Sequence, residues 1–248
     1  MIHYHGTPVG GGSVDKARFL QGRHALVPFP RQDDMGVVAD VCKSFVLDNG
    51  AFSVWKRGET LDVPGYMEWV SQWCRHPGFQ WALIPDVIDG DESDNARLVR
   101  DWEAAGLRHH GVPVWHMHES TERLRTLSEM YPTVALGSSG EWPTPGTEKW
   151  WRRIAEAMET VCDKHGRPAC KLHGLRMLDP AIFSLLPLAS ADSTNAAVNC
   201  GSVSRFGIYV PSTAAQRAEV IADRIEAHNS SPVWQPVTQE SFDLECPA

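Results

Sequence analysis

The sequence predicts an α/β protein with a (β/α)8 barrel. Short β-rich runs recur along the chain, and each is followed by a stretch with apolar residues at helical spacing, which is typical of a parallel α/β fold. Eight strands alternating with helices over about 230 residues match the size and rhythm of this barrel. A doubly wound open sheet is the alternative, but the sequence has no Gly-rich phosphate loop to favour it.

The eight predicted strands are short runs of β-branched, aromatic and other apolar residues. They cover residues 2–6, 24–30, 44–48, 81–87, 112–118, 133–139, 170–175 and 188–193. The clearest helices between them cover residues 63–76, 93–106, 120–131, 146–166 and 212–228. Two of these helices begin with hydroxyl side chains that can cap them. Ser120 or Thr121 can cap the helix at 120–131, and Ser212 or Thr213 can cap the helix at 212–228.

Composition favours one folded domain, which we place at residues 1–230, followed by an irregular tail at 231–248 that packs on its outside. Apolar residues make up 42% and charged residues 22% of the chain, as is usual for a globular protein. No apolar run approaches the roughly 20 residues that span a bilayer, and the N-terminus lacks the pattern of a signal peptide. We therefore expect a cytoplasmic protein with no membrane partner.

Cysteine usage and net charge narrow the possible environments and partners. The six cysteines are widely spread, which argues against a disulfide framework and for reduced, mostly buried thiols. The net charge of −8 predicts no broad attraction to phosphate. A nucleic-acid partner would therefore require basic residues gathered locally.

Polar residues end most of the predicted strands, where the chemistry of a (β/α)8 barrel collects. They are Asp48, Asp86, His116 with His118, Ser138, His173 and Asp192. A single aspartate after a strand is most often a turn former or a helix cap. Three of them converging on one barrel mouth favour a site, because carboxylates can act as nucleophile, general acid/base or hydrogen-bond acceptor.

The sequence around each aspartate fits a pocket for a flat ligand. Asp48 precedes Asn49–Ala51, whose small residues let a ligand approach the backbone and also suit an ordinary Asp-Asn-Gly turn. Asp86 lies in a crowded acidic loop, where like charges raise some pKa values or where the loop is simply solvated. Asp192 lies among small residues that leave room around its carboxylate.

These stretches resemble the tRNA-guanine transglycosylase family, over about residues 44–200. "FVLDNGAFSVWKRG" is similar to the family's strand-end motif Asp-Ser-Gly-Gly-Phe-Gln, and "ALGSSGE" and "KLHGLRMLDP" stand where the family has its later pocket loops. The short phage deazapurine DNA-modifying transglycosylases are the most similar members. The resemblance implies a barrel glycosyltransferase that exchanges guanine for a 7-deazaguanine without a cofactor or metal. If a phage encodes it, the protein works in the host cytoplasm.

The resemblance also implies the two catalytic residues. Asp192 would be the nucleophile that attacks C1′ of the sugar and expels guanine. Asp48 would protonate the departing base and deprotonate the incoming one. Displacement at C1′ needs these roles on chemical grounds, because one carboxylate traps an oxocarbenium-like centre and a second manages the leaving group's proton.

By the same resemblance, the base pocket would use two polar side chains and a set of small residues. Asp86 would accept hydrogen bonds from the ring N–H and exocyclic amine, and His116 stands where the family uses a glutamine to bind the carbonyl oxygen. The small residues of the pocket are Gly50, Ala51, Gly137 and Ser138. Three tryptophans near the strand ends would either stack on a base or pack in the core: Trp55, Trp81 and Trp115.

The sequence departs from the tRNA enzymes after residue 200, where their structural zinc motif is absent. The missing zinc-binding subdomain favours DNA over tRNA as the nucleic-acid partner, with an incoming base such as preQ0 or preQ1. The basic residues that could contact phosphate are Lys56, Arg57, Lys149, Arg152 and Arg153. The last three lie in "KWWRR", which equally suits an amphipathic helix with a solvated face.

A metal-dependent hydrolase on the same barrel is the main rival interpretation. His3 and His5 on the first strand, His116 and His118 on the fifth and Asp192 on the eighth resemble the ligand layout of amidohydrolases. This interpretation leaves the other two strand-end aspartates unexplained.

Two further alternatives remain. Cys162, His165, Cys170 and His173 have spacings that a Cys2His2 zinc site could use. An inactive barrel that only binds nucleic acid is the other, although such a module has no need of two carboxylates at its mouth.

Overall fold

The computed structural model describes residues 1–7 and 12–236. Nine short strands form one entirely parallel sheet, rolled into a nearly closed barrel with helices alternating around it. The predicted (β/α)8 barrel is confirmed, and each predicted strand is present with its ends shifted by a few residues.

The strands follow the chain around the barrel. They are β1 (Ile2–Gly6), β2 (His24–Pro28), β3 (Ser44–Asp48), β4 (Phe79–Leu83), β5 (Gly111–Val112), β6 (Val114–His116), β7 (Thr133–Gly137), β8 (Lys171–Gly174) and β9 (Ser190–Ser193). The α-helices are α1 (Ser13–Leu20), α2 (Met35–Val41), α3 (Ala51–Lys56), α4 (Val63–Trp73), α5 (Glu92–Ala104), α6 (Thr121–Met130), α7 (Glu148–Val161), α8 (Pro180–Phe183), α9 (Asn195–Asn199) and α10 (Ala214–Glu226).

Pro113 divides the predicted fifth strand into β5 and β6. Proline has no N–H to donate to the sheet ladder, so the regular pattern is interrupted there. The carbonyl of Val112 accepts from the N–H of Ile84 at 2.9 Å, and the carbonyl of Pro113 accepts from the N–H of Ala135 at 2.9 Å. The same segment therefore pairs with both ends of the sheet, and the nine strands form an eight-stranded barrel.

All five predicted helices are present, and their caps are now defined. The hydroxyl of Ser120 accepts from the N–H of Arg123 at 3.2 Å at the start of α6. The hydroxyl of Thr213 accepts from the N–H of Gln216 at 3.1 Å at the start of α10. Of each predicted pair, one residue caps its helix, because its hydroxyl accepts from one of the N–H groups that the first turn leaves without a partner. Helix α7 ends at Val161, five residues before the predicted end.

The strands bury apolar side chains on both faces, as parallel strands in a barrel do. Tyr4, Val46 and Trp81 pack inside the barrel, whereas Leu47 and Trp115 pack between the barrel and its helices. Trp81 and Trp115 are therefore core residues rather than stacking platforms. Trp55 remains about half exposed, at 47%.

The structure describes five of the six cysteines and the first residues of the predicted tail. Cys42, Cys74, Cys162, Cys170 and Cys200 are all free and at least partly buried. The buried Trp234 donates its backbone N–H to the carbonyl of Gly166 at 2.7 Å, so the chain packs against the body of the protein at residue 234. The rest of the predicted tail, with Cys246, lies outside the described residues. In the described ranges, no helix is long and apolar enough to cross a membrane.

The fold predicts the effect of removing one buried hydroxyl. Tyr66 is fully buried, and its hydroxyl donates to the carbonyl of Leu83 at 2.8 Å, which ties α4 to β4 just below the barrel mouth. We expect Tyr66→Phe to lower the free energy of unfolding by about 1–2 kcal/mol, because a buried carbonyl loses its donor. Urea unfolding measures this change. Tyr209→Phe is the control, because Tyr209 is 90% exposed; an equal loss in both variants would contradict the prediction.

Candidate active site

A pocket of about 410 Å³ opens at the carboxyl ends of the strands. All eight residues predicted to act in catalysis or base binding line it: Asp48, Gly50, Ala51, Asp86, His116, Gly137, Ser138 and Asp192. A larger, wide-open depression of about 720 Å³ lies at the opposite end of the barrel and includes none of them. The smaller pocket is therefore the candidate site, as expected for this fold.

Asp48 is the last residue of β3, and a tight turn follows it. The N–H of Gly50 donates to Asp48 Oδ1 at 3.0 Å, and Gly50 has a left-handed φ of 75°. A Cβ atom on Gly50 would lie 2.5 Å from Pro30 Cδ. Both the left-handed backbone and the lack of space for a Cβ atom therefore require glycine at this position. The Asp-Asn-Gly segment is thus both a turn and a pocket wall.

The environment of Asp48 favours its protonated form. Burial is the main cause, and the nearby carboxylates of Asp192 and Asp86 add to it, while the hydrogen bond from Gly50 opposes it. Together these effects raise the pKa of Asp48 to about 7. A carboxyl group with this pKa can both donate and accept a proton near neutral pH.

Asp86 is held from both sides by other pocket residues. Asn49, which is buried, donates from Nδ2 to Asp86 Oδ1 at 2.8 Å and to the carbonyl of Ile84 at 3.1 Å. His116 Nε2 lies 2.9 Å from Asp86 Oδ2. Burial lowers the pKa of His116, but the hydrogen bond and charge of Asp86 outweigh it, and the net pKa is raised. The pair therefore favours an imidazolium beside a carboxylate.

Asp192 lies on β9, buried at the base of the pocket. Its Oδ1 accepts from the N–H of Arg176 at 3.0 Å and lies 3.3 Å from His173 Nε2. His173 is fully buried inside the barrel, where its Nδ1 lies 2.8 Å from the hydroxyl of Ser190. These contacts fix the direction of the Asp192 carboxylate while leaving it in the pocket.

Arg176 is a pocket residue that sequence analysis missed. Its Nη2 donates to the carbonyl of Ser138 at 2.9 Å, and its guanidinium carbon lies 4.2 Å from the centre of the Phe52 ring. Burial lowers the pKa of Arg176, and the charge of Asp192 partly offsets this. Within residues 1–7 and 12–236, Arg176 is the one non-glycine residue with a left-handed φ, at 58°. Its side chain thus bridges the mouth between the loop after β8 and helix α3, and only its place just after a strand pointed to it.

The two basic residues predicted after Asp48 lie at the pocket rim. Lys56 is exposed at the end of α3. Arg57 lines the outer part of the pocket and pairs with Glu59 at 2.8 Å. Phe52 and Trp55, on the same helix, are also exposed, so this rim combines cations with aromatic rings.

The other three predicted phosphate contacts lie on α7, away from the pocket. Lys149 and Arg152 are exposed and form ion pairs with Glu141 and Glu148. Arg153 is not available to contact a phosphate, because its guanidinium donates to the carbonyls of Met117 and Glu119.

The tryptophans of the same segment, Trp150 and Trp151, are buried. The "KWWRR" segment is therefore an amphipathic helix with a solvated face, and its tryptophans are not available for stacking. Arg153 has a structural role as the link between α7 and the turn after β6.

The rival metal sites do not assemble. His3 and His5 face α10, because their Nε2 atoms contact the carbonyl of His228 at 3.0 Å and the carboxylate of Glu226 at 2.7 Å. His173 points into the barrel, away from the cysteines of the predicted zinc site. Within residues 1–7 and 12–236, no three or more His, Cys, Asp or Glu side chains are grouped as metal ligands.

Comparisons with known proteins identify the fold. No protein-family model matches the chain, and no curated protein matches its sequence. A mutant tryptophan synthase α-subunit from Pyrococcus furiosus has a similar structure, with a TM-score of 0.54, 13% identity, and coverage of 92% of this chain and 97% of that chain. A Coccidioides immitis protein assigned as fructose-1,6-bisphosphate aldolase is similar at a TM-score of 0.52 and 14% identity, covering 91% and 89%. The chain shares their barrel architecture.

The raised pKa of Asp48 predicts a pH-dependent stability. Between about pH 4 and pH 7 the native state keeps a proton that the unfolded state loses, so the free energy of unfolding falls as pH rises through this window. Asp48→Asn removes the effect and keeps an acceptor for Gly50. We expect the variant to be more stable than wild type by on the order of 2 kcal/mol at about pH 8, and nearly equal at about pH 4.5.

Urea unfolding at the two pH values measures this difference. Asp89→Asn in the neighbouring acidic loop is the control, because Asp89 is exposed and does not line the pocket. A gain of equal size at both pH values would show that the proton on Asp48 is not its cause.

Proposed function

We propose that the protein is a glycosyltransferase that exchanges guanine in nucleic acid, with DNA favoured, for a 7-deazaguanine base. The observation that carries this proposal is that Asp48, with a pKa of about 7, and Asp192 share one pocket. Base exchange needs one carboxylate as nucleophile and a second group that gives and takes a proton near neutral pH. The resemblance of the strand-end motifs to guanine transglycosylases supports the same assignment.

In the first half-reaction, a carboxylate oxygen of Asp192 attacks C1′ of the sugar. The bond from C1′ to N9 of guanine breaks, and its electron pair stays with the base. The protonated carboxyl of Asp48 donates its proton to the departing ring. The products are a covalent aspartyl-sugar ester, free guanine and an ionised Asp48. The bond from the Arg176 N–H directs the other lone pairs of Asp192 toward the sugar.

The second half-reaction reverses these steps with a different base. The ionised Asp48 removes the N9 proton of the incoming 7-deazaguanine, and N9 attacks C1′. The ester bond breaks, and its electron pair returns to Asp192. Asp48 is then protonated again and ready for another cycle. A single residue serves as acid and base because its pKa lies near the working pH.

The fixed polar groups of the pocket match the edge of a guanine. Asp86 keeps free lone pairs on both oxygens, which can accept from the ring N1–H and the exocyclic amine. The raised pKa of His116 favours an imidazolium that donates to the carbonyl oxygen of the base. Its Nδ1 is buried and has no hydrogen-bond partner among the described residues, so this nitrogen is not bonded to another protein group.

The mouth of the pocket supports a nucleic-acid partner. Arg31, Arg57 and Arg176 all line the pocket, and Lys56 lies beside them. Phe52 and Trp55 are exposed at the same rim. Cations for phosphates and aromatic rings for bases are the combination that single-stranded nucleic-acid segments bind.

Substitution of the two catalytic carboxylates tests the mechanism. We expect Asp192→Ala to reduce exchange of radiolabelled guanine into DNA by at least about 1,000-fold, and Asp48→Asn to reduce it by at least about 100-fold while guanine still binds. The wild-type protein should form a covalent DNA adduct on denaturing gels, and Asp192→Ala should form none. Asp89→Asn serves as the control with full activity. Normal exchange by Asp192→Ala would refute the covalent mechanism.

A second test concerns the role of Asp86 in base selection. Guanine carries the exocyclic amine that Asp86 is proposed to bind, and hypoxanthine lacks it. We expect hypoxanthine to compete at least about 10-fold more weakly than guanine, because it lacks the amine that donates to a free lone pair of the Asp86 carboxylate. In Asp86→Asn the difference should fall to about threefold or less. An unchanged preference in this variant would assign the recognition of the amine to another residue.

A further inference from the structure

The segment between β9 and α10 exposes large apolar side chains at the mouth of the barrel. Ile208 is 92% and Tyr209 is 90% exposed, and Val203 and Val210 are 54% and 40% exposed. Single exposed apolar residues are common, but a contiguous group marks an interaction site. We call Ile208 and Tyr209 the apolar tip.

The base of this segment is firmly held, although its tip is exposed. Arg217 on α10 donates to the carbonyls of Cys200 and Pro211 from the two ends of the segment. Phe206 is buried in the core, and Gly207 turns the chain with a φ of 63° just before the tip. The two apolar side chains therefore project from a framework rather than from a loose loop.

The segment belongs to the mouth of the candidate site. It follows Asp192 directly, and Thr194 at its start lines the pocket. All loops after the strands of a parallel barrel lie at the same end. The tip is thus at the same end of the barrel as Phe52 and Trp55 of α3.

The charge distribution of this face identifies the kind of partner. Residues 193–218 contain no Asp or Glu, although the chain has 31 of them in 248 residues, and they include the exposed Arg205. Residues 49–58 after β3 are also free of acidic side chains and include Lys56 and Arg57. In a protein of net charge −8, these two segments make one part of the mouth suited to a polyanion, distinct from the loop after β4, which carries Asp89, Asp91 and Glu92.

We propose that the apolar tip is a wedge that enters the base stack of duplex nucleic acid and helps to extrude the guanine that the pocket processes. This inference rests on the proposed function. A guanine inside a duplex cannot reach a closed pocket unless it leaves the stack, which costs a few kcal/mol. Apolar side chains inserted between base steps offset part of that cost, and the Tyr209 ring can stack on the bases left behind.

The test compares exchange into duplex and denatured DNA. Radiolabelled guanine is incubated with linear plasmid DNA, either intact or heat-denatured, and with wild type or the double variant Ile208→Ser/Tyr209→Ser. We expect the double variant to lose at least about 10-fold in exchange into duplex DNA and less than about twofold in exchange into denatured DNA. Met130→Ser is the control, because Met130 is 46% exposed at the other end of the barrel.

The outcomes separate this inference from the function on which it rests. If the wild type exchanges guanine into neither form of DNA, the proposed function fails, and the wedge fails with it. If the wild type is active and the double variant retains duplex exchange, the wedge alone is overturned. Sedimentation of both proteins tests whether the tip instead binds a second copy of the chain. A dimeric wild type and a monomeric double variant would overturn the wedge and assign the tip to self-association.

Discussion

The placement of three carboxylates in one partly buried pocket is the constraint on which the rest of the site depends. Asp48, Asp86 and Asp192 cannot all carry a full charge there without compensation. Asp86 has an imidazole beside it in His116, and Asp192 has both the amide of Arg176 and the imidazole of His173 beside it. Asp48 has only one amide hydrogen bond against burial and two neighbouring charges, so the proton remains on it. The division of roles among three chemically identical side chains therefore comes from their neighbours.

The amides that compensate two of these carboxylates come from left-handed residues just after strands. Gly50 and Arg176 have φ values of 75° and 58°, and each N–H points back to a strand-end carboxylate. Glycine adopts this conformation freely, whereas the left-handed conformation of an arginine costs about 1 kcal/mol of conformational free energy. The cost is offset by what the arginine side chain does at that position, since it reaches Ser138 and Phe52 across the mouth. In the turn after β8, the backbone of Arg176 therefore binds Asp192 while its side chain contacts Ser138 and Phe52.

Much of the fold and the pocket could be predicted because the rules involved are local. The apolar runs predict the strands. Parallel strands in a barrel end on the same side, so the sequence also predicts that Asp48, Asp86 and Asp192 lie at one end of the barrel. Side-chain direction is a different matter. Alternation along β1 places His3 and His5 on one face and Tyr4 on the other, but nothing in the sequence says which face is inside. The contacts of Arg176 likewise depend on residues about 40 and 120 positions away, beyond any local pattern.

The net charge of the protein does not decide whether its mouth can bind a polyanion. Electrostatic attraction at a binding face depends on charges within about one Debye length, roughly 8 Å in physiological salt. Residues 49–58 and 193–218 carry no acidic side chain, so the carboxylates of the chain are either outside these mouth segments or inside the pocket. The pocket carboxylates are themselves screened at the rim by the guanidinium groups of Arg57 and Arg176. An acidic protein can therefore offer a basic region on one part of its mouth, next to the segments after β3 and β9, while the loop after β4 at the same end carries Asp89, Asp91 and Glu92.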